Sequence, residues 1–457
     1  MLVGKKPKNH EIAEELINSS VYKKNLVYHT GYDLFYLYQD EEKDDSGWYL
    51  PLNEHGMQRT IRKFLIQYYS ELNINMALIK DIVNQIKLGI VRQIDEEQYN
   101  YICLTDKLLN LDTFEPEPHT RNQVVLHHLP YSYDQLSNST PVWDKFLAST
   151  FVDRETLSIT DSGMINLVRE MIGFFLLGDL YGGTAFFLTG NGANGKSILT
   201  GVLENIMGDE FSSTMSIQTL TTDKFATAHL IGKKINISNE EESKFIKSDK
   251  FKALITGNKV DGERKFGEKF EFIPHTKYVF ATNSLPTFDG LDYGLRRRII
   301  IIPFFQRFVG ENRDVYLDKK LKEEIPGIIG WAIEGAKKLK NNKYIFTEVD
   351  AAKEVMEDFE NDISSTVRFI RENYIVDNES FISNQSLYDN YKGWCEACGK
   401  KHVNMFKFIK DIINTIDGTS NIRGKDYNNK RVSGKNLKLL LVSDEDIAED
   451  KLKEINF

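Results

Sequence analysis

The chain has 457 residues, 41% of them hydrophobic and 27% charged, the balance of an ordinary globular protein of about three domains. No apolar run is long enough to cross a bilayer, the best stretch being Met171 to Leu177, so membrane partners are not expected. The net charge of −9 excludes a surface coated in cations, and a nucleic-acid partner would have to be met by a local basic strip or a lined channel.

Residues 1 to about 140 mix helical and strand patterns into an N-terminal α+β region, with turn clusters near Glu41–Gly47 and Pro116–His119. Glu71 to Gln93 reads as one or two amphipathic helices, and Tyr99–Leu108 and Val124–Leu129 as short strands. The acidic run Asp40–Asp45 is a solvated loop. Phe146 to Leu180 is expected to be helical, because Ile165, Leu167, Val168, Met171, Ile172 and Phe175 recur at helical spacing, and Gly182-Gly183 then breaks the chain. Strands are predicted at Ala185–Thr189, Lys234–Ser238, Lys277–Thr282 and Ile299–Pro303, with a helix from Phe245 to Ile255 ended by Gly257. Residues 314 to 360 look helical with an interruption at Pro326-Gly327. The last stretch reads as helix, short strand, helix, helix and hairpin, the order of a winged helix. The expected partition is an N-terminal region (1–140), a helical collar (141–182), an α/β phosphate-binding core (183–310), a helical linker or lid (311–360) and a winged-helix-like domain (361–457).

The most informative stretch is Thr184 to Ser197, an apolar strand followed by G-x-x-x-x-G-K-S from Gly190 to Ser197 and then by an apolar helix, Ile198 to Met207. Gly190, Gly192 and Gly195 permit backbone angles that turn successive N–H groups inward around a polyphosphate. Asn191, Ala193 and Asn194 complete the loop, and Ile198 lies in the first helical turn, whose dipole favours an anion. Lys196 would reach the β and γ phosphates and Ser197 would bind Mg²⁺, so ATP and Mg²⁺ are the expected ligands. The second strand ends in Ile235-Asn-Ile-Ser-Asn-Glu-Glu-Glu242. An acid at that tip can hold Mg²⁺ through water and polarise the attacking water, with Glu240 the first candidate and Glu242 the second. The third strand ends at Thr282-Asn283, where an amide can bond both the γ-phosphate and the lytic water. Arg296-Arg-Arg298 precedes the fourth strand, and Arg297 or Arg298 could reach the γ-phosphate of a neighbouring subunit.

With these elements in this order the chain resembles the superfamily 3 helicases of the AAA+ class, and within them the phage and plasmid primase–helicase branch that includes the poxvirus primase–helicase C-terminal region. The resembling pieces are Gly190–Ser197, Asn239-Glu240, Leu254-Ile-Thr-Gly257 with Glu263-Arg-Lys-Phe266, Ala281-Thr-Asn283 and Arg296 to Pro303. Weaker likeness extends to Tyr101–Asp112, Pro326–Gly335 and Leu387–Trp394. One departure is Asn239, where many members have the first of two adjacent acids. No paired-carboxylate site for nucleotide polymerisation is evident. The resemblance implies an ATP-hydrolysing ring, usually a hexamer, that moves 3′→5′ on single-stranded DNA, with ATP sites between subunits and with Arg297 or Arg298 acting on the neighbour's nucleotide.

Thr256 to Phe270 reads as a β-hairpin carrying Lys259, Arg264, Lys265, Phe266 and Lys269. In the resembling family this hairpin enters the central channel, where cations can follow phosphates and Phe266 could press on a sugar or base. A second basic segment holds Arg423, Lys425, Lys430, Arg431 and Lys435, and as a wing it could grip duplex DNA; a solvated or protein-docking hairpin is the alternative. The tail Asp444 to Glu454 reads as a solvated helix. Cys395-x-x-Cys398 with His402 is better read as free thiols than as a zinc site, for want of a fourth ligand. Three cysteines, and an N-terminus without the apolar core of a secretion signal, point to a reducing, cytoplasmic setting in a bacterial host. The leading expectation is a replicative or origin-melting helicase of a bacteriophage or mobile element, acting on single-stranded and forked DNA beside a separate primase or initiator. The alternative is an ATP-gated origin-binding module that recruits a helicase.

Overall fold

A computed structural model describes residues 7–440, except 21, 32, 39–46, 91, 95–99, 179–182, 242–244, 264–268, 289–292, 311–313, 417 and 427–429. The chain divides into two compact units. The first comprises residues 1–242, 250–284 and 302–349, and the second comprises 243–249, 285–301 and 350–457.

The first unit begins with α1 (Asn9–Asn18), β1 (Leu26–His29), β2 (Leu34–Tyr38), β3 (Tyr49–Leu52), α2 (Glu54–Tyr68), α3 (Met76–Gly89) and β4 (Gln93–Ile94). The strands form a sheet in the order β3-β2-β1-β4, and Ile12, Leu16, Met57, Ile61, Leu65, Ile79, Ile82 and Ile86 from the three helices pack into one core. Asn53 and Asn75 cap α2 and α3 by accepting from Gly56 N and Leu78 N, which satisfies amides that the first turn leaves open. A small sheet follows from β5 (Tyr101–Cys103), β6 (Leu108–Asn110) and β7 (Pro116–Glu117). The strand expected at Val124–Leu129 does not form a ladder: Val124, Val125, Leu126 and Leu129 are buried, but only one bridge, His128 to Cys103, is made. Cys103 of β5 donates to His127 O at 3.2 Å and accepts from Leu129 N at 2.8 Å, and apolar burial mimicked a longer strand where pairing stops at that one residue.

The expected helix over Phe146–Leu180 is two helices, α4 (Pro141–Thr150) and α5 (Ser162–Leu176), split by a turn in which Asp153 accepts from Glu155 N and Thr156 N. Next come β8 (Ala185–Thr189), α6 (Lys196–Met207), β9 (Ser212–Ser213), α7 (Ile217–Thr222) and β10 (Ile235–Glu241). The expected helix from Phe245 begins as a strand, β11 (Phe245–Ile246), before α8 (Ser248–Ile255), because Phe245 and Ile246 pair with Thr287 and Phe288. Then follow β12 (Val260–Glu263), β13 (Lys269–Phe272), β14 (Lys277–Thr282), β15 (Thr287–Phe288), α9 (Tyr293–Arg296), β16 (Ile299–Pro303) and α10 (Leu317–Asn341). The central sheet runs β16-β8-β14-β10-β9, with β8, β14, β10 and β9 parallel. Every residue of β8 and β14 is buried, as a parallel strand covered on both faces requires.

Pro326 does not interrupt α10, which runs unbroken through it. Glu324, two residues before Pro326, accepts from Val142 N and Trp143 N at 3.0 and 2.9 Å and so caps α4. Helix α10 lies backbone to backbone on α5: a Cβ on Gly173 would meet Ala336 N at 2.4 Å, and one on Gly335 would meet Arg169 O at 2.3 Å. At the C-terminal end of α5 the buried Lys277 of β14 donates to Phe174 O and Leu177 O, tying that helix to the sheet.

In the second unit, α11 (Asp350–Ile363), α12 (Ser365–Asn373), β17 (Tyr374–Val376), β18 (Ile382–Ser383), α13 (Asn384–Ala397), α14 (Met405–Thr415), β19 (Asn421–Lys425), β20 (Arg431–Lys435) and β21 (Leu437–Leu439) keep the helix, strand, helix, helix, hairpin order of the sequence reading. Phe369, Ile370, Leu387, Tyr391, Cys395, Phe408 and Ile412 fill its core. The strands form two small sheets, β17-β21 and β18-β20-β19.

Candidate phosphate-binding site

The carboxyl ends of parallel strands are where α/β sheets place ligands, and three such ends meet here. The first is the loop after β8. Gly190, Gly192, Ala193 and Gly195 all have positive φ, with values of 154°, 86°, 49° and 97°. At Gly190 a side chain would strike Asn194 Nδ2 at 2.2 Å and Phe304 O at 2.6 Å, so the loop is closed to any other residue there. The chain beyond β16 braces the loop from outside: Phe304 N donates to Thr189 O at 2.8 Å and Phe308 N to Ala193 O at 2.7 Å. Asn191 and Ala193 are exposed, and Ser197 and Ile198 lie in the first turn of α6 with Ser197 exposed.

Lys196 is only 8% exposed, and burial lowers its pKa. Its ammonium donates to Gly190 O, closing the loop on itself, and to Asn283 Oδ1 at 3.2 Å. Thus Lys196 and Asn283, named separately from sequence, are brought together. Asn194 is 3% exposed, and its amide nitrogen has no hydrogen-bond partner among the described residues. A buried donor inside a ring of N–H groups is what an anionic ligand would satisfy.

The second strand end is β10. Its register against β14 slips between Ser238 and Glu241, a bulge of the sort that re-aims side chains. Asn239 Oδ1 accepts from the Thr200 hydroxyl at 3.0 Å, and that hydroxyl lies one turn beyond Ser197 in α6. Thr200 is 1% exposed and Asn239 exposed, so this bond joins the buried face of the loop helix to the open tip of β10. Sequence reading marked Asn239 only as a departure and missed Thr200. The backbone of Glu240 lies in β10, but its side chain and all of Glu242 lie outside the described residues. A Mg²⁺ ion would take hard oxygen donors, and the hydroxyl of Ser197, exposed in the first turn of α6, is of that kind.

The arginines fall into different settings. Arg296, on α9, pairs with Glu360. Arg298 donates to Gly294 O, and Arg297 is exposed.

Strands β12 and β13 pair antiparallel with Glu263 opposite Lys269, so the expected hairpin has its two arms. Lys259 and Lys269 are exposed, Lys259 lying 3.7 Å from Glu271, while Arg264, Lys265 and Phe266 are outside the described residues. In the other basic segment, Arg423, Lys425, Lys430 and Arg431 are exposed on β19, β20 and the turn between them. Lys425 stands directly opposite Arg431, and Arg423 lies two residues along the same face. Like charges in cross-strand register are destabilising unless an anion is shared. Lys435 departs from the expectation: it is fully buried and its ammonium donates to Asn421 Oδ1, so it is no surface phosphate contact. Alternation along β20 would place Lys435 on the exposed face with Arg431 and Ser433; it is buried because the strand end runs inward, where Asn436 and Leu437 are buried too. Cys395 is buried and Cys398 exposed, both as free thiols, and His402 Nδ1 lies 3.2 Å from the Tyr388 hydroxyl. Among the described residues no group of three or more histidines, cysteines or carboxylates is placed to hold a metal, and no helix is long and apolar enough to cross a membrane.

Comparison with known proteins finds residues 16–152 similar to the D5 N terminal like family and residues 188–298 similar to a family of unknown function, DUF5906. A putative helicase of Acanthamoeba polyphaga mimivirus is 29% identical over 181 residues, covering 38% of this chain and 18% of that protein. An uncoating factor of monkeypox virus is 32% identical over 209 residues, 41% of this chain and 25% of that protein. Primase D5 of fowlpox virus is 31% identical over 166 residues, 33% of this chain and 21% of that protein. The matched segments therefore span about a quarter or less of these curated relatives. Among solved structures, the apo C-terminal region of NrS-1 aligns with a TM-score of 0.49 at 12% identity, over 95% of this chain and 100% of that one. The D5 N terminal like match over residues 16–152, with relatives named putative helicase and Primase D5, marks a likeness to D5-type primase–helicases.

Proposed function

We propose that the chain is an ATP-driven DNA helicase of a virus or other mobile element, built on a superfamily 3 AAA+ core with a winged-helix-like C-terminal domain and working as a ring on single-stranded and forked DNA. The observation that carries this reading is the convergence of Lys196, Asn283 and the Thr200–Asn239 bond on one phosphate loop. A loop that only shaped a turn has no use for a buried lysine shared with the tip of a neighbouring strand.

In this reading the loop amides and Lys196 bind the β and γ phosphates, and Lys196 exchanges Gly190 O and Asn283 for phosphate oxygens. Asn283, released from the ammonium, orients the water that attacks the γ-phosphorus; the bond to the ADP oxygen breaks, and ADP and inorganic phosphate are the products. Mg²⁺, held by Ser197 and Glu240, would supply neutralisation of phosphate charge. Arg297 from the next subunit stabilises the charge that spreads over the transferring group. The β12–β13 hairpin, with Lys259 and Lys269 on its arms, follows the strand in the channel, and the face bearing Arg423, Lys425 and Arg431 holds the fork.

The test is unwinding of a forked duplex with a 3′ tail, in ATP and Mg²⁺, for the wild type beside Lys196→Ala. Strand release by the wild type alone is expected. DNA binding without release by either protein, with hydrolysis intact in the wild type, would turn the reading to an origin-binding module that recruits a helicase.

A further inference from the structure

Three consecutive arginines precede β16, and the structure gives them three different surroundings. Arg296 Nε donates to Oε1 of Glu360, on α11. The other oxygen of that carboxylate, Oε2, accepts from Arg371 on α12. Arg371 is itself fixed by Glu357 O and Asn361 Oδ1, each at 3.1 Å. Glu360 is 1% exposed, so both ion pairs are made largely out of water. Beside it Phe359 packs edge-on against Phe288, with ring centroids 6.5 Å apart, and Leu295 of α9 is fully buried. All of these residues belong to the second unit.

A lone buried carboxylate between two guanidiniums is an expensive arrangement merely to hold a fold. An apolar trio of the same volume would hold it as well or better. What the ionic arrangement supplies is direction. The carboxylate takes one guanidinium on each oxygen, and this charge-assisted bridge fixes the orientation of the four-residue α9. Arg298 is turned back onto Gly294 O in the same turn. Arg297, between the two, is the exposed member.

We infer that Glu360 is a positioning residue for Arg297: the Arg296–Glu360–Arg371 clasp holds the turn that presents Arg297 to the nucleotide of a neighbouring subunit, and joins that turn to the helices that carry the basic hairpin. This inference rests on the reading of the chain as a subunit-interface ATPase. Its consequence is that a change in α11 or α12 alters hydrolysis at the next subunit's site and leaves the subunit's own phosphate loop intact.

Mixed assemblies of the full chain test it. Lys196→Ala cannot hydrolyse ATP but offers an intact Arg297. Arg297→Ala and Glu360→Gln keep an intact phosphate loop. Alone, each of the latter two is expected to hydrolyse ATP at least about tenfold more slowly than wild type, with its affinity for a fluorescent ATP analogue unchanged. Mixed with Lys196→Ala, each regains hydrolysis, because its own site then faces a neighbour with the clasp and Arg297 in place. Rescue of Arg297→Ala without rescue of Glu360→Gln overturns the inference and leaves the interface reading standing, as does a Glu360→Gln protein of wild-type rate. Rescue of neither removes the interface arginine, and the inference with it. Size-exclusion chromatography checks assembly; where Glu360→Gln fails to assemble, Glu360→Asp, which keeps the charge but draws it back from both arginines, is expected to give the same rescue.

Discussion

At the scale of single residues, the site depends on contacts between side chains far apart in sequence. The Thr200 hydroxyl has one proton, and the geometry gives it to Asn239 or to Ser197 O, at 3.0 and 3.2 Å. Thr200→Val keeps the shape and removes the bond. It is expected to cost about 1 kcal/mol of stability in denaturant melts and to lower kcat for ATP with KM little changed. Asn239→Asp keeps an acceptor at the same place, so steady-state kinetics should show most of the activity retained. Lys435 makes a different point. Burial pushes its pKa from 10.5 down to about 8, so between those values the unfolded chain holds a proton that the folded chain does not. Stability from this group therefore rises as pH rises through that window, and is lowest where the ammonium is charged in both states. Lys435→Met removes the buried charge. Thermal melting at neutral pH is expected to show an unchanged or higher Tm, and melts between about pH 8 and 10.5 a smaller gain with pH than in the wild type.

At the scale of elements, the phosphate loop, its flanking strand and helix, and the parallel strands around it were legible because glycine spacing and apolar runs are local signals. Elements that tertiary contact decides were not. Phe245–Ile246 became a strand because β15 lay beside it, and Val124–Leu129 stayed irregular because its pairing with β5 stops at Cys103. Pro326 stays inside α10, since the packing of that helix on α5 outweighs the one hydrogen bond a proline removes. That packing is tight enough to test. Gly173→Ala puts a methyl group against backbone atoms of α10 that cannot withdraw. Despite the better helix propensity of alanine, chemical denaturation should show a loss of about 2–4 kcal/mol.

At the scale of the whole molecule, the proposed DNA binding requires an acidic chain to confine its cations, and the exposed face of β19 and β20 gathers Arg423, Lys425 and Arg431. Replacing Arg423 or Arg431 by alanine is expected to weaken binding to duplex and forked DNA alike. Each should lower the salt dependence of binding by about one counterion in a fluorescence-anisotropy titration, while Lys435→Met leaves that slope unchanged. An unaltered slope for both arginine variants would assign this face to protein docking.

By itself the sequence determined which candidates are written in consecutive residues: the loop from Gly190 to Ser197, the strand tips at Glu240 and Asn283, and the arginine triplet. Such motifs are readable because their function needs specific residues at short, fixed spacing. Only the tertiary structure decided which arginine is held by Glu360 and which is exposed, that Lys435 is inside rather than on the surface, and that Thr200 fastens the loop helix to β10. Those outcomes depend on burial and on partners distant in sequence, and desolvation, which decides the role of a charged side chain, is a property of the packed chain.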